Sequence, residues 1–143
     1  MDTICKRVLQ SLHLTEDFYK YISESHLNLK LNNLPSNTIG EQAYCIIGAR
    51  ESYLNALKKG EWSGFSCSLF KNEYYDHSIV INKLEETRKN IHNFLEGTCI
   101  DNVNLNLLID LLEHEVQHHG QLIRYAYASK LGFPNSWNTR YTV

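Results

Sequence analysis

Leu111-Leu112-Glu113-His114-Glu115-Val116-Gln117-His118-His119-Gly120-Gln121-Leu122-Ile123-Arg124-Tyr125 is the stretch on which the reading of this chain turns. Three of the seven histidines fall within residues 114–119, and the run around them reads as helix. His114 and His118 are four apart, so they project from one helical face about one turn from each other. Leu107, Leu111, His114, His118 and Leu122 step by four, three, four and four, which makes both histidines continue an apolar stripe and face inward. Two imidazoles at that spacing can converge on one metal ion, whereas a lone inward histidine is more often a satisfied core residue.

The same run contains His114-Glu115-Val116-Gln117-His118, which satisfies the zinc-protease pattern H-E-x-x-H. The protease reading fails on the rest of the sequence. After His119 there is no Asp, Glu or His to act as a third ligand, and the longer pattern is missed at Gln121 and Arg124. Glu115 is also rotated by about 100° from His114. We read Glu113 and Glu115 as a solvated face and His119 as a packing or hydrogen-bonding residue. A third donor must then come from upstream, where Cys45, His77, His92 and His26 are candidates.

Working outward, the chain divides into long amphipathic segments separated by its few glycines and prolines. Ile4, Val8, Leu12, Thr15, Phe18 and Ile22 form the stripe of a first helix that Asp2 can cap and that weakens near Ser23. Asn32–Asn37 is a turn cluster. A second helix starts at Thr38, with Glu41 completing a capping box, and stops near Lys58-Lys59-Gly60. Gly40, Ala43, Gly48 and Ala49 surround Cys45 with small side chains, which permit close helix approach or leave room for a ligand. Residues 60–73 resist a helix reading and suit a long crossover, which would make the second and third helices parallel. The third helix covers 74–96 and ends at Gly97 as a C′ residue. The fourth runs from Asp101 to about Lys130, a rod of roughly 45 Å, with Val116 among its core residues. The tail from Pro134 to Val143 reads as irregular. The expectation is one all-α domain over 1–143, a four-helix bundle.

Composition excludes several function classes. Fourteen Lys plus Arg against sixteen Asp plus Glu give a formal charge of −2, with no basic stripe for nucleic acid. No apolar run approaches the roughly 18 residues of a membrane span. The amino-terminal sequence lacks the apolar core of a signal peptide, so a cytoplasmic location is expected, and Cys5, Cys45, Cys67 and Cys99 are expected as reduced thiols. Cys67 reads as a free loop thiol, since no base stands beside it in sequence. Trp62, Phe65 and Trp137 suit either a pocket mouth or a hydrophobic lid.

His114-x-x-x-His118-x-Gly120-Gln121, closing a long last helix before Gly132-Phe133-Pro134, resembles the DinB-like superfamily, whose members show a histidine-rich "HxxHHRGQ" run there. Ile39–Arg50 resembles the family's "IGELLAHIAGAR"-type stretch, with Cys45 where the family histidine usually stands. Pro134–Trp137 is similar to the "PESW" ending of some relatives. The likeness spans nearly the whole chain in helix order and loop lengths but is specific only in the first two segments.

The resemblance implies an up-down-down-up bundle, often homodimeric, with a divalent metal held by one residue of the second helix and two of the fourth. On this chain those residues are Cys45, His114 and His118. A Cys-His-His set suits Zn²⁺ and also binds Ni²⁺ or Cu. The bland alternative is that Cys45 is a small buried apolar residue and that the site has lost its metal. Two functions follow as expectations: a metal-dependent transferase or isomerase joining a low-molecular-weight thiol to a small electrophile, or a non-catalytic metal-binding or stress-associated dimer. Some of the nine tyrosines would then lie at the dimer interface. Gln121 would be free to orient a ligating imidazole.

Overall fold

Each long helix begins at a side chain that accepts a backbone N–H of the first turn. Asp2 accepts from Ile4, Thr38 from Glu41, Asp76 from Ile79, and Asn104 from Asn106 and Leu107. These caps satisfy amides that have no partner inside the helix. The helices they open are α1 (Thr3–Tyr21), α2 (Ile39–Lys59), α3 (His77–Glu96) and α4 (Leu105–Ser129), followed by a short α5 (Asn135–Tyr141). The computed structural model describes residues 1–143; it contains no strand, and no helix long and apolar enough to cross a membrane.

Two expected boundaries move for the same reason. Residues Glu73–Tyr75 and Ile100–Asn102 form 3₁₀ turns, so α3 waits for the Asp76 cap and α4 for the Asn104 cap. With 25 residues, α4 is about 37 Å long and not 45 Å. Gly60, at φ 87°, ends α2 in the left-handed conformation, whereas Gly97 ends α3 at φ −85° and is not a left-handed cap.

Helix α1 packs against α3 and α4, and α2 packs against the same two, so α1 and α2 face each other across a diagonal. Their apolar faces form two clusters. One gathers Leu14, Phe18, Ile39, Ile46, Ile47, Leu84, Leu122 and Ala126; the other gathers Val8, Leu12, Leu54, Leu57, Ile91, Leu95, Leu108 and Leu111. Along α2, α3 and α4 the break between clusters falls at a buried polar residue, Arg50, Thr87 and Glu115, and on α1 the buried Thr15 lies one residue past it. The core is thus apolar above and below a polar layer.

The crossover from Gly60 folds back along α2. Ser52 exchanges two hydrogen bonds with the backbone of Ser66, and the Glu51 carboxylate accepts the Ser68 amide. The loop lies close on Gly48, where a Cβ would overlap the Phe65 ring and crowd Cys67. The small residues around Cys45 therefore serve loop packing as well as helix approach.

The tail is helical, contrary to the irregular reading. In α5, Trp137 is fully buried, donates its indole N–H to the Leu14 carbonyl at 2.6 Å, and lies 5.0 Å from the Phe18 ring. Trp137 is thus a core residue. Val116, expected inside, is 36% exposed.

Candidate metal centre

The buried line of α4 is Leu108, Leu111, Glu115, His119, Leu122 and Ala126, with His118 beside it. It is rotated by about one residue from the stripe through Leu107 and His114. His118 is accordingly buried at 8% exposure, while His114 stands half-buried at the edge towards α2. The two rings lie 4.6 Å apart, at 58° to each other.

His118 is held from α2. Its Nδ1 hydrogen-bonds the Gln42 side-chain oxygen. Gln42 donates its amide to Asn37 Oδ1 at 2.8 Å, which fixes that oxygen towards the histidine. Tyr125 donates in turn to Asn37 Oδ1 at 2.6 Å. An acceptor at Nδ1 assigns the ring proton there and leaves the lone pair on Nε2, the arrangement by which a metal-ligating histidine is usually oriented. His114 has a wall of aromatic rings: Tyr53 at 6.5 Å, which itself lies 4.9 Å from Trp62. Its Nδ1 is buried and has no hydrogen-bond partner.

Burial lowers the pKa of both rings. For His114 the nearby Glu115 opposes the shift; for His118 the neighbouring His114 adds to it and takes the value to about 4. Both are neutral at pH 7, as a metal donor must be. An orphaned nitrogen beside an oriented imidazole fits a metal ion at this pair.

Cys45 is not brought to the pair. It is half-buried and lines a cavity of about 480 Å³ with Glu41, Tyr44, Leu69, Lys71 and Tyr74, to which neither histidine contributes. The α2 residue that meets His118 is Gln42, three positions earlier. Burial and then Glu41 raise the Cys45 pKa, so the metal-free side chain is a thiol. No three His, Cys, Asp or Glu side chains converge as a ligand set. The other upstream histidines are engaged elsewhere. His77 Nε2 bonds the Tyr19 carbonyl at 2.5 Å, His26 Nδ1 accepts the Ser23 amide, and His92 lies 3.8 Å from Glu96 on the surface.

Glu115 is not on a solvated face. Its carboxylate is fully buried and ion-paired with the equally buried Arg50, whose Nε lies 3.2 and 3.3 Å from its two oxygens. Arg50 also donates to the carbonyls of Leu12 and Leu84 and to Thr87, touching all four long helices. Burial raises the Glu115 pKa, but Arg50 outweighs it and the net shift is downwards. Thr15 donates to Glu115 at 2.5 Å and stands 2.7 Å from His119 Nε2, and His119 Nδ1 is 2.6 Å from the Tyr141 hydroxyl. His119 is thus a hydrogen-bonding residue, as expected. A carboxylate engaged in this way cannot serve as the base of a metalloprotease, which agrees with setting that reading aside.

No protein-family model matches the chain, and no curated protein matches it.

Proposed function

We propose that the chain is a divalent-metal-binding bundle of the DinB-like kind, with His114 and His118 as two donors. The third donor, which the resemblance implies, is Cys45; it stands apart from them in this structure and is drawn in when the ion binds. The observation that carries this reading is the buried, unpartnered Nδ1 of His114 beside an imidazole whose lone pair is directed by Gln42. The course of the helices supports the up-down-down-up arrangement. From start to end, α1 and α4 pass from the second apolar cluster to the first, and α2 and α3 pass the other way. Cys45 follows Gln42 on the same helix by less than one turn, and zinc or nickel would favour its thiolate.

A bound divalent ion would supply Lewis-acid activation of a thiol sulfur, the chemistry of a thiol transferase or isomerase acting on a small electrophile. The chain's own part is to keep both imidazoles neutral by burial and to fix the His118 tautomer through Gln42 and Asn37. The cavity beside Cys45, with Tyr44 and Tyr74 as walls and Glu41 and Lys71 as charges, would seat the small substrate. A cytoplasmic homodimer belongs to the same reading.

A second reading has its own observation. Tyr125, Asn37, Gln42 and His118 form a hydrogen-bond chain that needs no ion, and no third ligand converges. This favours a non-catalytic bundle. Cobalt(II) titration separates the two. We expect absorption bands of a tetrahedral site with a thiolate-to-cobalt charge-transfer band that Cys45→Ser abolishes. A spectrum identical to free cobalt would leave the second reading.

A further inference from the structure

All four cysteines are free, and the crossover brings two of them to one turn of α2. Cys67 donates its S–H to the Tyr44 carbonyl at 3.6 Å, and that carbonyl belongs to the peptide joining Tyr44 to Cys45. One turn further on, a Cβ built on Gly48 would stand 2.9 Å from the Cys67 Cβ. Gly48 follows Cys45 by three residues, a spacing that sets Cβ positions about 5–6 Å apart on a helix. The Cys67 side chain therefore rests on α2 between Tyr44 and Gly48, with Cys45 beside it. Its neighbours are tied to the same helix, Ser66 through Ser52 and Ser68 through Glu51. The placement of Cys67 along α2 is thus held from both sides, although residues 61–70 are neither helix nor strand.

We infer that Cys45 and Cys67 are an oxidisable pair, which a hydroperoxide closes to a disulfide that withholds Cys45 from the metal. Cys45 is the thiol the oxidant reaches first, because it lines the open cavity beside Tyr44 and Tyr74. Its sulfur takes one oxygen from the hydroperoxide and becomes a sulfenic acid, and the remainder leaves as an alcohol, or as water from hydrogen peroxide. Cys67 then attacks that sulfur. The S–S bond forms, the S–O bond breaks, and the hydroxyl leaves with the Cys67 proton as water. Two thiols are oxidised and one peroxide is reduced. A disulfide holds its Cβ atoms about 3.5–4.5 Å apart, so closure draws the irregular crossover towards Cys45. Burial, then Glu51 and Cys45, hold the Cys67 thiol at about 11, and burial raises Cys45 as well. The thiolate is the reactive form, so the pair stays reduced until an oxidant is in excess. The pair itself stands on this geometry; only its effect on the ion rests on the reading of Cys45 as a ligand.

Hydrogen peroxide treatment of the full chain, in chelator and after zinc loading, tests the inference by peptide mass spectrometry. Trypsin cuts at Arg50, Lys58 and Lys59, which places the two cysteines in separate peptides. Metal-free wild type should lose two of its four thiols, reversibly with dithiothreitol, while keeping the 16.6 kDa mass of one chain. Its digest should contain Leu31–Arg50 linked to Gly60–Lys71. Cys67→Ser should stop at a sulfenic acid on Cys45 that dimedone traps, and Cys45→Ser should give no bond between α2 and the crossover. Zinc should slow the link, and the linked form should no longer hold zinc. Absence of the Cys45–Cys67 link in metal-free wild type, or equal loss of Cys5 and Cys99, would overturn the pair. A link that forms equally fast with zinc and leaves the ion bound would keep the pair and remove Cys45 from the metal site.

Discussion

Arg50 of α2 and Glu115 of α4 form an ion pair in which neither side chain reaches solvent. The pair sits where the two apolar clusters meet, and Arg50 touches every long helix. Removing one partner leaves a buried charge, whereas replacing both with apolar groups removes two desolvation costs together. We expect Glu115→Ala to cost about 3–5 kcal/mol and the double variant Arg50→Met, Glu115→Leu to cost much less. Urea denaturation of the three proteins checks this; equal losses would mean that the pair is not an energetic unit.

The metal-free protein should lose stability in mild acid. His119 is held at about 4 by burial, against an ordinary 6.5. As pH falls, the unfolded chain therefore binds this proton first. The contribution is complete above about pH 6.5 and disappears as pH falls through 4. His118 acts in the same direction. Urea midpoints in chelator should decline across this window, and His119→Gln should remove part of the slope. A flat profile would contradict the buried, neutral assignment.

The two tryptophans report on different environments. Trp137 is fully buried and Trp62 is 47% exposed. Trp62→Phe should leave a blue-shifted emission, and Trp137→Phe a red-shifted one. Trp137→Ala should cost about 3–5 kcal/mol, the cost of a large emptied core site. Similar spectra from the two Phe variants would place the α5 tryptophan in water.

Much of this was legible in the residues. Helical period and capping side chains announced four long helices, and Thr38 with Glu41 marked the start of α2. The buried line of the fourth helix lies one residue from its apolar stripe. Its pattern rule assigns a carboxylate to solvent, and Glu115 is inside only because Arg50 of another helix neutralises it. Neither charge reveals its partner alone, although Arg50 lies among Ile46, Ile47 and Leu54 and could have been suspected. The seven residues of α5 span under two turns, too few to show a period. Gln42 carries no signal in the sequence, because its meeting with His118 depends on how α2 and α4 are set side by side.

Metal binding should stabilise the fold. On the proposed reading His114 and His118 would hold an ion only in the folded arrangement, so saturation would raise the unfolding free energy, by about 2.7 kcal/mol at a hundredfold excess over Kd. The melting temperature should rise with added zinc or nickel and return after chelation. An unchanged melting curve from a loaded sample would count against a folded-state site.

Metal stoichiometry of untagged protein tests the central claim most directly. Wild type, Cys45→Ala, His114→Ala and His118→Ala would be loaded with zinc, dialysed against a weak chelator and analysed for elements. The account predicts one ion per chain in wild type and loss in all three variants. Retention in Cys45→Ala would keep the histidine pair and remove the thiol. No metal in wild type after loading would contradict the claim and leave the His114–His118 pair as part of a hydrogen-bonded core.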